Sequence, residues 1–532
     1  MRNRKFLLLS ISLLSSLSLY AQAADDIVLP EVTTVIDSQK LQAQAEDLPS
    51  FSQLFESDES SGSVSIELPD VENQPSAAEA QSEEKKAVKT LFAQGQLGLG
   101  YPYLFNGDFS VFSQSEAAPF KIHFNHDSAA AYASNSLNSQ YFDSNTSMEL
   151  ETKINKDNFE WDISGSYASI ENGLQNKVSD LTSISQKNIQ AESDFIWTFP
   201  KGHCLGLNTE GLNYVRYANI SNNASIEDWV KKSHYFAINP EFYYYWTGYG
   251  IKTGVSADYD FEYLKGMANR GEFKADFSWG NEFVNLFTDL SWVLSDRINS
   301  KITIPFTLGL KANAPLKFSN RNFSIDVRGG MESFLPQVSE LEELYKFTGF
   351  STLPYETSYW FASMDLILPV KNSFTSSANL VYKKTYENNG TYRPLLDSSN
   401  YVSGLYTYGQ YNEDILESKL AFNYFYKIFS ASISWTQNWL DIPAFENQML
   451  VSINLSLASP DSFWGVEGKL DLLLKELPIL SLSGYSRVSN TATLVVEMND
   501  ILNLVSPYDS RLYAGTYIER SGSLALAVKF NF

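Results

Sequence analysis

Few side chains in this sequence have the type and spacing for covalent chemistry. The segment Ala118–Ser128 alternates like a strand and carries two of the chain's four histidines. His126 and Ser128 are two residues apart, so on a strand they share a face. A histidine beside a serine is the minimum for acyl transfer, because the imidazole takes the hydroxyl proton as the oxygen attacks. Such a pair ordinarily needs a third group to orient the imidazole, and the adjacent carboxylate, Asp127, falls on the opposite face. His126 and Ser128 therefore stand as a catalytic alternative without a complete site, and the expectation is that the chain is not an enzyme. His123 and His126 are three apart and face opposite sides of a strand, which argues against a metal pair. His203 sits in a predicted turn and His234 at a strand start, neither with a ligand cluster nearby. Cys204 is the single cysteine, so an internal disulfide and a cysteine-based metal cluster are excluded. There is no phosphate loop, dinucleotide fingerprint or zinc-ligand spacing, and no cofactor is expected.

The other polar residues of interest are carboxylates, and they recur with period two. Glu160 and Asp162 alternate with Phe159, Trp161 and Ile163. Asp258, Asp260 and Glu262 alternate with Ala257, Tyr259, Phe261 and Tyr263. Glu272 and Asp276 alternate with Phe273, Ala275 and Phe277, and Asp471 sits between Leu470 and Leu472. Period two means strands with unlike faces. Periodicity alone does not say which face is outside. The last stretch helps decide. Leu524, Leu526, Val528, Phe530 and Phe532 share one parity, and the chain stops on that aromatic residue. A strand of an outer-membrane barrel shows such a face to lipid and lines a wet lumen with the other. On that assignment the eight carboxylates point into the lumen, where they would favour cations. Phe530 and Phe532 are the expected assembly signal, read by the barrel-assembly machinery, and outer-membrane lipid is the expected partner of the apolar face.

The totals agree. Net charge is −23, which argues against nucleic acid. Aromatics make up 14% of the residues, as two aromatic belts would require. Residues 1–23 read as a signal peptide: Arg2, Arg4 and Lys5, then an apolar core, then Ala21-Gln22-Ala23. Residues 24–89 form an acidic tail rich in Asp, Glu, Ser and Gln, expected to be mostly disordered and periplasmic. Residues 90–532 are expected to form a single antiparallel transmembrane β-barrel of an all-β chain, with about 22 strands (range roughly 18 to 22). Short polar turns such as Lys156–Asn158, Pro200–His203 and Gly248–Gly250 belong to one end. Longer segments, Ser221–Lys231, Ser333–Tyr355, Glu387–Tyr408 and Ser506–Thr516, belong to the other.

The C-terminal segment from Gly484 to Asn503, with Pro507-Tyr508 and the final strand, resembles the end of TonB-dependent outer-membrane receptors. Asn503-Leu504-Val505 stands where that family has an Asn-Leu-Phe corner. Ile27–Thr33 is loosely similar to the family's energy-coupling box. The resemblance implies a receptor-type barrel that passes or binds a small solute, and a periplasmic energy-coupling protein as partner of residues 25–89. The family's folded plug has no counterpart between Ala23 and Leu91, so a plugless barrel is expected, filled by its loops, by its tail or by a separate plug polypeptide. A passive diffusion porin and an adhesive surface protein are the rival readings. The His126-x-Ser128 spacing is similar to the strand motif of outer-membrane lipid A deacylases, with Ala129 where that motif has Asn, and it implies an acyl hydrolase as a further alternative.

Overall fold

The structure, a computed structural model, describes residues 91–531 except 114–118, 131–139, 221–225, 298–301, 317–321, 372, 387–388, 442–447, 475–476, 506–511, 514–516 and 519–521. The expected signal peptide, acidic tail, coupling-box run, Tyr508 and Phe532 lie outside the described residues.

Alternation becomes strand throughout. The wall begins with β1 (Leu91–Tyr101), β2 (Leu104–Ser113), β3 (Phe120–Ala129), β4 (Asp143–Lys156), β5 (Phe159–Gly173) and β6 (Leu181–Phe199). It continues with β7 (His203–Ile220), β8 (Lys232–Gly248), β9 (Ile251–Tyr263), β10 (Met267–Gly280), β11 (Val284–Ser295) and β12 (Phe306–Pro315). Next come β13 (Asn322–Phe334), β14 (Thr357–Lys371), β15 (Phe374–Thr385), β16 (Asp414–Tyr426) and β17 (Phe429–Asn438). The circuit ends with β18 (Met449–Ala458), β19 (Trp464–Leu473), β20 (Ile479–Arg487), β21 (Ala492–Asn499) and β22 (Ser523–Asn531). Each strand pairs antiparallel with its neighbours in the chain, and β1 pairs with β22 in the register Gly95↔Phe530 through Tyr101↔Leu524. The sheet is therefore a closed 22-strand barrel without an edge to protect.

Connections at one end are short, whereas the other end carries the long loops together with two tight turns, Pro102–Tyr103 and Leu264–Gly266. At one end, Tyr249 and Gly250 turn β8 into β9 with φ of 54° and 74°. Two positive φ values match the right-handed twist of the flanking strands, and glycine supplies the second at no steric cost. At the other end lie the described residues of the connections 221–231, 335–356, 386–413 and 500–522. The expected short turns fall at the first end and the described parts of the expected long segments at the second; most of Ser506–Thr516 and part of Ser221–Lys231 lie outside the described residues. One local difference is at Asn503-Leu504: β21 stops at Asn499 and the chain turns through a short helix, Ile501–Val505, with Asn503 buried.

The outer face is apolar. In β22, Leu526 is 54% exposed whereas its neighbours Ala525 and Ala527 are 5% and 2% exposed. Leu99, Phe273, Trp279, Leu290 and Trp292 repeat this outward parity round the wall. The core is inside, at the long-loop end. Trp229, Val230, Phe347, Leu405, Tyr406 and Tyr517 pack on the upper wall, and Val338, Phe350 and Leu353 pack beside them against Tyr214 and Tyr235.

Candidate functional site

The site is the lumen and the loops that fold into its mouth. The loop 335–356 carries a helix of about two turns, Val338–Leu344. Val338 and Glu342 are four apart on one face, and both are buried. Glu342 is held from three sides. The Tyr214 hydroxyl donates to its Oε2 at 2.7 Å, Arg216 Nε donates to the same oxygen at 2.8 Å, and the Phe350 amide donates to Oε1 at 2.7 Å. Gln186 Nε2 donates to the Glu342 carbonyl at 3.0 Å. Tyr214 and Arg216 share a parity of β7, and Gln186 lies on β6. That parity therefore faces inward. Arg216 also donates from Nη2 to the Trp229 carbonyl at 3.2 Å, with its guanidinium over the Trp229 ring. Gly349 lies against it: a Cβ there would sit 2.7 Å from Arg216 Nη2.

Other loops interlock with this one. Phe347 and Tyr517 stack with centroids 3.8 Å apart, and Phe350 and Tyr408 stack at 4.0 Å. The Tyr517 hydroxyl donates to the Gly404 carbonyl at 2.8 Å. Phe347 and Phe350 of the loop 335–356 thus stack on rings from two other segments, Tyr517 and Tyr408.

The predicted carboxylates are on the inward parity, and most meet a cation that the sequence reading passed over. Arg270 Nη1 lies 3.4 Å from Asp258 and 3.1 Å from Asp260. Its Nη2 donates to Glu272 at 2.5 Å, and its Nε pairs with Glu356 of the loop at 3.3 Å. Arg270 has the parity of Glu272, so this hub was legible in the alternation. Glu160 and Asp162 share Lys153, the latter at 3.3 Å. Asp471 accepts from Ser452 at 2.6 Å and pairs with Lys469 at 3.1 Å. Asp276 lies over Gly254 in the gap that the missing side chain leaves. Glu262 is buried beside Tyr235 at the upper wall, apart from the Arg270 hub's ion pairs. The eight carboxylates are spread along the lumen rather than gathered in one ring.

His126 and Ser128 do share a face, and it is the outer one, in line with the exposed Phe124. His126 Nε2 is 3.2 Å from Ser128 Oγ, and Nδ1 is 2.7 Å from Thr146 Oγ1. A hydroxyl therefore stands where a triad has a carboxylate. His123 faces inward, 2.9 Å from Asp108. His203 lies in the outer aromatic belt, bonded to the Tyr244 hydroxyl, and His234 is bonded to Asn213. Among the described residues no group of three or more His, Cys, Asp or Glu is spaced to hold a metal ion.

No family model matches the sequence, and no curated protein matches it. Solved structures do match. A mutant of the ferric enterobactin receptor PfeA from Pseudomonas aeruginosa superposes with a TM-score of 0.60 at 9% identity, over 84% of this chain and 81% of that one. The FrpB iron transporter from Neisseria meningitidis gives 0.62 at 9% identity, over 86% and 83%. The siderophore receptor PirA from Acinetobacter baumannii gives 0.61 at 8% identity, over 84% and 81%. This chain has the barrel fold of those receptors. The receptor-type barrel implied by the C-terminal segment is therefore the architecture found, with the strand count of that reading.

Proposed function

We infer that this chain is an outer-membrane barrel of the receptor and transporter kind, which binds a small solute at its outer mouth and passes it inward. The observation that carries this reading is the Glu342 latch. A loop held inside the mouth by a buried charge pair narrows the path, and it fits a barrel in which the path opens only when that pair is released. That suits a receptor, because binding must precede passage. The fold shared with iron and siderophore receptors supports the same class, and the apolar outer face of this wall supports outer-membrane placement.

The pore on this reading has no plug of its own; the inward loops take that place, and residues 25–89 supply the segment for a periplasmic energy-coupling protein or a separate plug polypeptide. The inward carboxylates give the opened path a preference for cations. Planar-bilayer recording tests the reading: the mature chain should conduct little until the latch is broken. Large steady currents through the unaltered protein would instead support the passive porin.

A further inference from the structure

Two cavities open beneath the inward loop, and they differ in charge. The smaller, about 30 Å3, is lined by Glu210, Asp260 and Glu262 and by no basic residue. The larger, about 270 Å3, lies between the upper wall at Tyr359 and Lys383, the loop at Tyr345, and the segment at Tyr392 and Arg393, with Glu413 beside it. Its lining holds two cations and one anion, net +1, in a chain whose total is −23. Arg393 is paired with Glu413. Lys383 is half-buried, and among the described residues it is in no ion pair; its ammonium lies 4.9 Å from the centre of the Tyr359 ring.

Each feature limits the ligand. One ammonium outside any ion pair suits one negative charge, whereas a phosphate dianion would call for a second. Rings at Tyr345, Tyr359, Tyr392 and Phe334 offer flat faces and edges to another ring. At about 270 Å3 the cavity is at the low end of small-molecule sites, which run from roughly 300 Å3 upward, and it has room for one ring with its substituents. We propose that the cavity binds a small ring-bearing carboxylate, with Lys383 as its counter-charge. The proposal rests on the receptor reading and names the class of solute the mouth takes.

The test is isothermal titration of the detergent-solubilised mature chain with benzoate, benzyl alcohol and acetate. Benzoate should bind saturably, and the other two at least about tenfold more weakly, as expected when a charged hydrogen bond or the ring contact is missing. Lys383→Met should lose about tenfold or more, and Lys383→Arg should restore most of it. Lys384→Met is the control: it removes the same charge from the next residue, which faces outward and pairs with Asp414. It should bind as the unaltered chain does. Absent saturation, equal binding of benzyl alcohol, or an unaltered Lys383→Met affinity would overturn the proposal. Bilayer recordings separate this failure from failure of the receptor reading: a latch that opens without benzoate binding sinks only the cavity, and a steadily open barrel sinks the receptor.

Discussion

Glu342 and Arg216 meet at 2.8 Å inside the barrel mouth, and neither side chain touches solvent. They are 126 residues apart in the chain, so the contact exists only when the loop 335–356 is folded against β7. Removing one partner of a buried pair strands the other's charge, at a cost of about 3–5 kcal/mol. Glu342→Gln should therefore release the loop while the wall stays closed. Limited proteolysis should cut within 335–356 in the variant and not in the unaltered protein, and bilayer conductance should rise. Equal protection of both proteins would contradict a latch.

Docking of the same loop should also depend on pH. Glu343 lies beside Asn188, whose Nδ2 donates to it at 3.3 Å. Burial pushes the Glu343 carboxyl above its ordinary range, the Asn188 bond opposes this, and the Glu340 charge adds to it. A carboxyl raised in the docked state favours docking when neutral. Its contribution is complete below the free value of about 4.3 and is lost as pH rises through the docked value. Protease sensitivity of the loop should increase across that interval, and Glu343→Gln should flatten the profile.

Charge in the lumen should set selectivity. Asp258 and Asp276 lie on inward positions of neighbouring strands, and only Asp258 is bridged to Arg270. In the opened Glu342→Gln background, Asp258→Asn with Asp276→Asn should shift the reversal potential in a salt gradient toward anions. An unchanged potential would remove these residues from the ion path.

The His126–Ser128 pair makes a contrary expectation. With Thr146 in place of an orienting carboxylate, deacylation of lipid should be at background, and Ser128→Ala should not alter it. Turnover lost on that substitution would reinstate the hydrolase.

Much of the wall was legible because alternation is a local signal. Phe273, Phe277 and Trp279 against Glu272 and Asp276 state both faces of β10 without reference to any other strand, and the C-terminal strand assigns which face meets lipid. The mouth was not legible in that way. Glu342 sits in a loop between Glu340 and Glu343, where a charged residue ordinarily means solvent, and its partners Tyr214 and Arg216 belong to a distant strand. The available clue was the apolar content of the long loops: Phe347, Phe350, Tyr401, Tyr406 and Tyr408 are too many rings for segments standing free in water. The Arg270 hub could have been found from parity, since Arg270 shares the parity of Glu272, opposite to the outward Phe273.

The assignment of the greasy face to acyl chains governs everything else, and tryptophan fluorescence in bilayers with brominated acyl chains tests it directly. Trp279 and Trp292 are each 52% exposed on the outer wall. The account predicts strong quenching by the bromines relative to ordinary lipid, lost in a Trp279→Phe, Trp292→Phe variant in proportion to their share of the emission. Emission indifferent to bromine, from a chain that stays folded and monodisperse in detergent-free buffer, would contradict it.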